Sequence, residues 1–403
     1  MINGRSVNSA RSGSSGFSLI ELMVAITLGL LLTGGLIQLF NSTKVTFNSN
    51  EALARVQENG RFALESLKRE LRPVGARGFC AGRLNVENHL NDNCSQFPSD
   101  IFAGEVGLTG WEYAGTGRGD DFDFTDLASL APDTTSPGDW NSFDGSNLPS
   151  VLENRVVPGS DVLVVRSFSP SGLEVDSIDD DTKINIDGVG ACAATDCRTP
   201  KAGDLILITN CASGTDLFQQ DKGKSPTSGL DKSAMSCSAT GPGNNSSVSG
   251  WSTTYDESAQ VFSVRQVAYF VGFADGNRQE PGLYQLDLAE NRLTELVEGV
   301  ESMQVLYGFS RAAPDGDGQS VDSDDWVTAA DIPAGGLPQI IALRISLLMR
   351  SPERADGDPT VQTFELFGED NLAALTVTAG GDGRIRQPFS TTAALRNQLL
   401  VIE

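Results

Sequence analysis

The stretch FSLIELMVAITLGLLLTGGLIQLF, Phe17 to Phe40, decides how the rest of the chain is read. It holds a single charge, Glu21. As a helix rising ~1.5 Å per residue it would reach ~36 Å, enough to cross a hydrocarbon core of ~30 Å. The residues before it, MINGRSVNSARSGSSG, are polar and carry Arg5 and Arg11 but no acid. That asymmetry keeps the N-terminus cytoplasmic and sends the remainder outward. The apolar run is too long for an ordinary secretory signal, and no A-x-A-like site follows it. Glu21 is the anomaly. A carboxylate within an apolar span costs a few kcal/mol and calls for a cationic partner. A cut between Gly16 and Phe17 would create one, the α-amino group of Phe17.

Beyond Phe40 the charges return. Leu53, Val56, Ala63, Leu64, Leu67 and Leu71 recur at three- to four-residue spacing and form one apolar stripe. Glu51 with Arg55 and Glu65 with Arg69 are acid-first i,i+4 pairs. Pro73, followed by Gly75 and Gly78, ends the pattern. The organisation is therefore a 1–16 leader, a 17–40 apolar helix, a 41–73 amphipathic continuation packing on its own domain, and a 74–403 head. Bends are expected at Asn41 and Asn59-Gly60.

The head reads as strands: Asp161–Phe168, Leu173–Ile178, Asp204–Thr209, Gln260–Phe273, Leu283–Leu288, Met303–Phe309 and Gln339–Met349. Alternation in the last predicts Arg344 and Ser346 facing out. Ser/Gly/Asn/Asp-rich stretches at 132–150 and 221–259 are expected to be exposed loops. The fold class is α+β, one long N-terminal helix on a large, loop-rich antiparallel β head.

Composition narrows the function. With 53 acidic against 29 basic residues in 403, the net charge of −24 excludes a phosphate-binding surface, so no direct nucleic-acid contact is expected. His89 is the only histidine. That excludes a His-rich metal site and leaves Ser-His or Cys-His catalysis to His89 alone, which is expected at the surface. No Walker A, G-x-S-x-G or H-E-x-x-H pattern occurs, and no enzymatic activity is expected. The six cysteines, Cys80, Cys94, Cys192, Cys197, Cys211 and Cys237, all follow the apolar helix and would meet an oxidising compartment. Pairing neighbours in sequence is the simplest of the connectivities open to six. No C-x2-C pair supports zinc. Asp315, Asp317, Asp322 and Asp324 alternate on a Gly-rich turn, which suits Ca²⁺ as well as it suits a solvated acidic hairpin tip.

Gly16-Phe17-Ser18-Leu19-Ile20-Glu21 resembles the type III signal of type IV prepilins. The resemblance implies that a prepilin peptidase cuts between Gly16 and Phe17 and N-methylates Phe17. Glu21 would then pair with the N-terminal amine of a neighbouring subunit. QENGRFALESLKREL (57–71), GSDVLVVR (159–166), GDLILITNC (203–211), EGVESMQVLYG (298–308), ALRISLLMR (342–350) and TAALRN (392–397) together resemble the PilW family of minor pilins. The departures lie in loops around 95–150 and 212–259. This resemblance implies a pilin-like fold and an inner-membrane protein with a periplasmic head that later reaches the pilus surface. The implied partners are other minor pilins, the major pilin and a PilY-class tip adhesin, in the service of twitching motility and adhesion. Two alternatives remain open: a minor pseudopilin of a type II secretion system, and a membrane-tethered surface protein that never enters a filament.

Overall fold

The computed structural model describes residues 16, 18–74, 86–91, 107–125, 136–143, 147–189, 198–211, 213–238, 241–247, 250–274, 277–288, 291–309, 311–312, 319–320, 326–332, 340–355, 360–368 and 373–395. The chain divides into two compact units, Met1–Glu51 and Ala52–Glu403. One helix, α1 (Leu19–Leu71), begins in the first and ends in the second. It is helical through Asn41 and through Asn59-Gly60, with no break at either. The strands are β1 (Val86–Asn88), β2 (Leu108–Tyr113), β3 (Asp121–Asp123), β4 (Trp140–Asn141), β5 (Val162–Pro170), β6 (Leu173–Asp180), β7 (Lys183–Val189), β8 (Leu205–Thr209), β9 (Thr215–Gln219), β10 (Leu230–Asp231) and β11 (Gln260–Ala274). They continue as β12 (Asn277–Asp287), β13 (Arg292–Glu298), β14 (Val300–Phe309), β15 (Arg311–Ala312), β16 (Gln319–Ser320), β17 (Trp326–Val327), β18 (Ile340–Arg350), β19 (Val361–Leu366), β20 (Leu375–Gly380) and β21 (Arg386–Ala394). The result is the expected α+β class: one long N-terminal helix and a large β head.

The largest sheet runs β1-β9-β8-β11-β5-β2-β4, with β12 also on β11 and β13 on β12. Its long strand β11 pairs with β8 through its first residues and with β12 through its last, while β5 lies on its other edge. A second sheet runs β17-β14-β18-β21, and smaller sheets are β19-β20-β3 and β10-β7-β6. Pairing is antiparallel except at β1–β9 and β20–β3.

The apolar runs that announce the central strands are continuous because both faces are covered. On β5, Leu163 and Val165 enter the core shared with the second half of α1, while Val162 and Val164 enter a core around Trp111 and Trp140. On β8, Leu205 and Leu207 face that second core, and Ile206 and Ile208 face the β6–β7 layer. Most of the stripe on α1 packs as the sequence predicts, but Leu53 is 37% exposed and Leu64 is half-buried. Val56, Ala63, Leu67 and Leu71 are buried against Leu347, Met349 and Tyr269. Gly60 permits the closest approach, since a methyl there would lie 2.7 Å from the Phe389 ring of β21. Gly60 therefore serves packing, and the helix runs through it without a break.

Three expectations about exposure are corrected. Ser346 is buried, with its hydroxyl 3.1 Å from that of Ser390 on β21, and Arg344 is half-buried, stacked 4.7 Å from the Trp326 ring. The stretch 132–150 buries Trp140 and Leu148. Within 221–259, Leu230, Asn244 and Tyr255 are buried, so much of this segment is part of the head's interior. Its polar residues satisfy backbone in place of a sheet ladder: Gln219 N–H donates to Asn244 Oδ1 (2.8 Å) and Asn244 Nδ2 donates to Gln219 O (2.7 Å).

Candidate functional site: the start of the long helix

Gly16 is exposed, and Phe17 lies outside the described residues. Ser18 opens α1. Its hydroxyl accepts the Glu21 N–H (3.2 Å), and its own N–H donates to Glu21 Oε2 (3.0 Å). This reciprocal pair is a capping box, which satisfies two of the donors that a helix N-terminus leaves orphaned. A carboxylate in the first turn also meets the positive end of the helix dipole. Glu21 thus has an intrachain role that the search for a cationic partner overlooked, although Ser-x-x-Glu before an apolar run is a sequence-level signature. The box lies wholly on the C-terminal side of the Gly16–Phe17 bond.

From Leu19 to Phe47 every residue of α1 is exposed. Leu31 is 73% and Phe40 70% exposed. With a mean hydropathy of 2.1 over its most apolar window, the helix is long and apolar enough to cross a membrane. Thr27, Thr33 and Thr43 donate their hydroxyls to carbonyls one turn back, so these polar groups need no outside partner. The motif and the helix together fit a membrane anchor.

Of the cysteines, Cys211 and Cys237 are both disulfide-bonded. Cys80, Cys94, Cys192 and Cys197 lie outside the described residues. So do Asp315, Asp317, Asp322 and Asp324, the candidate Ca²⁺ ligands. Among the described residues no group of three or more His, Cys, Asp or Glu is placed to hold a metal.

The head also brings together charged groups that the sequence gave no reason to associate. Arg386 forks onto Glu301 (2.7 and 2.8 Å) and onto Asp382 (2.8 and 2.9 Å), and Arg384 meets Glu280 (2.8 Å). Burial alone would push the Asp382 carboxyl up, but its bonds to Arg386 win and hold it at about 2. This network ties β14 and β21 to the turn before β21.

A cleft of about 670 Å³ is lined in part by Glu112, Arg118, Asp120, Trp326, Thr328 and Asp331. Burial pushes the Glu112 carboxyl up to about 7, with Asp331 and Asp120 adding to the effect against the bonds to Thr328 and Ala330. Behind it, enclosed Asp161 accepts from Val305 N–H (2.8 Å) and is raised by burial and by Glu112. Tyr307 presses its hydroxyl against Gly110, where a methyl would overlap it.

His89, expected at the surface, is 1% exposed and bonded to Asp216. Its position at the end of the short strand β1, which pairs in parallel with β9, carries it inside.

Comparison with known families adds two matches. Residues 11–37 match the prokaryotic N-terminal methylation motif, and residues 268–397 match the family of type IV pilus-assembly protein W. The second covers the end of β11 and all strands from β12 to β21. No curated protein matches the chain. Among solved structures, a type IV-like pilin from Thermus thermophilus (TTHA1219) is similar at 18% identity and a TM-score of 0.19, covering 34% of this chain and 68% of that one. The chain thus carries a prepilin-type methylation motif at the head of α1 and, across its last strands, a region similar to the family of type IV pilus-assembly protein W.

Proposed function

We propose that this chain is a minor pilin that helps to prime type IV pilus assembly and sits at or near the pilus tip. Other minor pilins and a PilY-class adhesin would be its neighbours there, the major pilin would follow beneath, and twitching motility and adhesion would depend on it. The observation that carries the proposal is the division of α1. Its first half is apolar and uncovered by its own chain, and its second half is core to the head. A tether needs only the first of these properties. A filament subunit needs a helix held rigidly by the head whose free half can pack against copies of itself.

Glu21 has two carboxylate oxygens, and the capping box uses Oε2. Oε1 is the one an incoming N-methylated Phe17 amine would take. Prepilin peptidase is the partner that creates that amine by cutting between Gly16 and Phe17. Before assembly the chain would sit in the inner membrane with its head in the periplasm. The three disulfides would pair neighbouring cysteines, and a weak Ca²⁺ site would use Asp315, Asp317, Asp322 and Asp324.

The test is mass spectrometry of the native N-terminus in sheared surface filaments and in membranes. N-methylated Phe17 in the sheared fraction is the expected result. Methylated Phe17 confined to membranes would favour the minor pseudopilin of a type II secretion system. An intact leader in both fractions, with active peptidase present, would leave a tethered surface protein.

A further inference from the structure

The single histidine sits in a closed polar cluster that the pilin role does not use. His89 Nε2 is 2.5 Å from Asp216 Oδ1 on β9. Asp216 Oδ2 also accepts from Ser252 Oγ (2.6 Å) and from the Tyr255 hydroxyl (2.5 Å). On the other side of the ring, Lys232 Nζ is 3.2 Å from His89 Nδ1 and donates to Gly250 O (2.5 Å). The Trp251 ring covers the same nitrogen at 4.7 Å. His89, Asp216 and Lys232 are 1%, 0% and 4% exposed, so the cluster is closed to bulk solvent.

Proton counting in this cluster is tight. An ammonium has donors and no acceptor, so when Lys232 is charged His89 Nδ1 must offer a lone pair, and Nε2–H must donate to Asp216. If the proton moves to Nδ1, the imidazolium pairs with Asp216 and Lys232 must be the neutral amine. Either way the Lys232–His89 pair carries one proton fewer than two separate cations would. A further proton sets two donors, and two positive charges, against each other at hydrogen-bond distance.

We propose that this Lys232–His89 pair is a pH-sensitive latch that holds the 230–256 segment to the edge of the main sheet and opens on acidification. The other charged groups facing Lys232 are Asp216 on β9, Asp181 in the turn between β6 and β7, and Glu87 on β1. They favour its charged form, and burial opposes it. The segments joined by the cluster are separate in sequence. His89 N–H bonds Leu217 O (2.9 Å), Asn245 N–H bonds His89 O (2.7 Å), and Lys232 N–H bonds Thr182 O (2.9 Å). Loss of the side-chain contact therefore loosens 230–233 and 250–256 without touching the α1 core.

The test is hydrogen exchange on the full chain in detergent micelles, corrected for the intrinsic pH dependence of exchange, at about pH 7.5 and about pH 5. The expected result is a fall of at least about tenfold in protection for peptides within 226–256, with peptides of β14 and β18 unchanged. In His89→Gln the amide can donate to Asp216 and accept from Lys232 without titrating, and the acid response should vanish. In Lys232→Met an imidazolium can form unopposed, and the response should vanish there too. Equal protection of 226–256 at both pH values in the unsubstituted chain would overturn the latch. So would an undiminished acid response in whichever of the two variants folds.

Discussion

At one end of this chain apolar side chains face outward; at the other, charged ones are buried. Leu19 is 76% and Leu32 70% exposed, whereas Asp216 and Glu301 have no exposed surface. Only the first of these arrangements is unsuited to a protein dissolved alone in water. The first half of α1 keeps its backbone and threonine hydroxyls satisfied internally, which is the condition for living in hydrocarbon, and leaves its apolar surface for another solvent or another helix. The head does the reverse. Its enclosed charges at Glu301 and Asp216 are paired, by forked Arg–carboxylate contacts and by four donors respectively. The lesson is that the two regions differ in what they leave without a partner: the first half of α1 leaves apolar surface, and the head leaves a few buried polar atoms, Trp111 Nε1 and the Tyr307 hydroxyl among them.

Substitutions at Glu21 attack the comparison where it matters most. Unpairing a charge in an apolar setting costs about 3–5 kcal/mol, so Glu21→Val should leave leader cleavage intact but lower incorporation into sheared filaments by more than about 100-fold. Immunoblots of sheared and membrane fractions read this directly. Glu21→Gln keeps an acceptor for Ser18 N–H and loses the charge. Normal incorporation of the Gln variant would mean that the cap, and not the charge, is what assembly needs.

The two halves of α1 should also respond differently to the same deletion. Leu67→Ala empties a fully buried site and should cost the head about 2–5 kcal/mol in denaturant titration. Leu31→Ala, at a site 73% exposed, should leave that unfolding midpoint within error. A similar shift from both would erase the distinction between them.

Glu112 tests the buried charges. Its folded value of about 7 lies above the model-peptide value of 4.5. As pH rises through that interval the unfolded chain gives up its proton first, so stability falls, and it stays reduced above about 7. The loss is about 3 kcal/mol, shared with Asp161. Glu112→Gln should flatten the stability profile between about pH 4.5 and 7; an unchanged slope would assign it to other groups.

The smallest effect is expected at Ser18. Ser18→Ala removes half of the capping box and should cost about 1 kcal/mol, seen as faster amide exchange in the first turn of α1 with the head unaffected.

The helix was legible from its long apolar run, and the central strands because burial on two sides demands near-continuous Val, Ile and Leu, as in DVLVV and DLILIT. Strands β13, β19 and β21 were not. RLTELVE, VQTFEL and RQPFSTTAA mix Thr, Gln and Glu with few apolar residues, and their side chains are largely exposed or half-buried. The 221–259 stretch misled for another reason. Its Asn and Gln side chains stand in for backbone partners, so a polar sequence builds an interior, and no periodicity marks it. His89 was misplaced along with it, because the strand that carries it inward is three residues long. The methylation motif was legible in Gly16 to Glu21, but the hydrogen bonds that Ser18 and Glu21 give each other were not read from it.

The capping box bears on the order of events in the cell. Both of its residues lie beyond the Gly16–Phe17 bond, so a cut there would leave both partners of the box in the chain. Under the proposed function, the first turn of the helix would then keep its cap whether the peptidase acted before or after the head had folded.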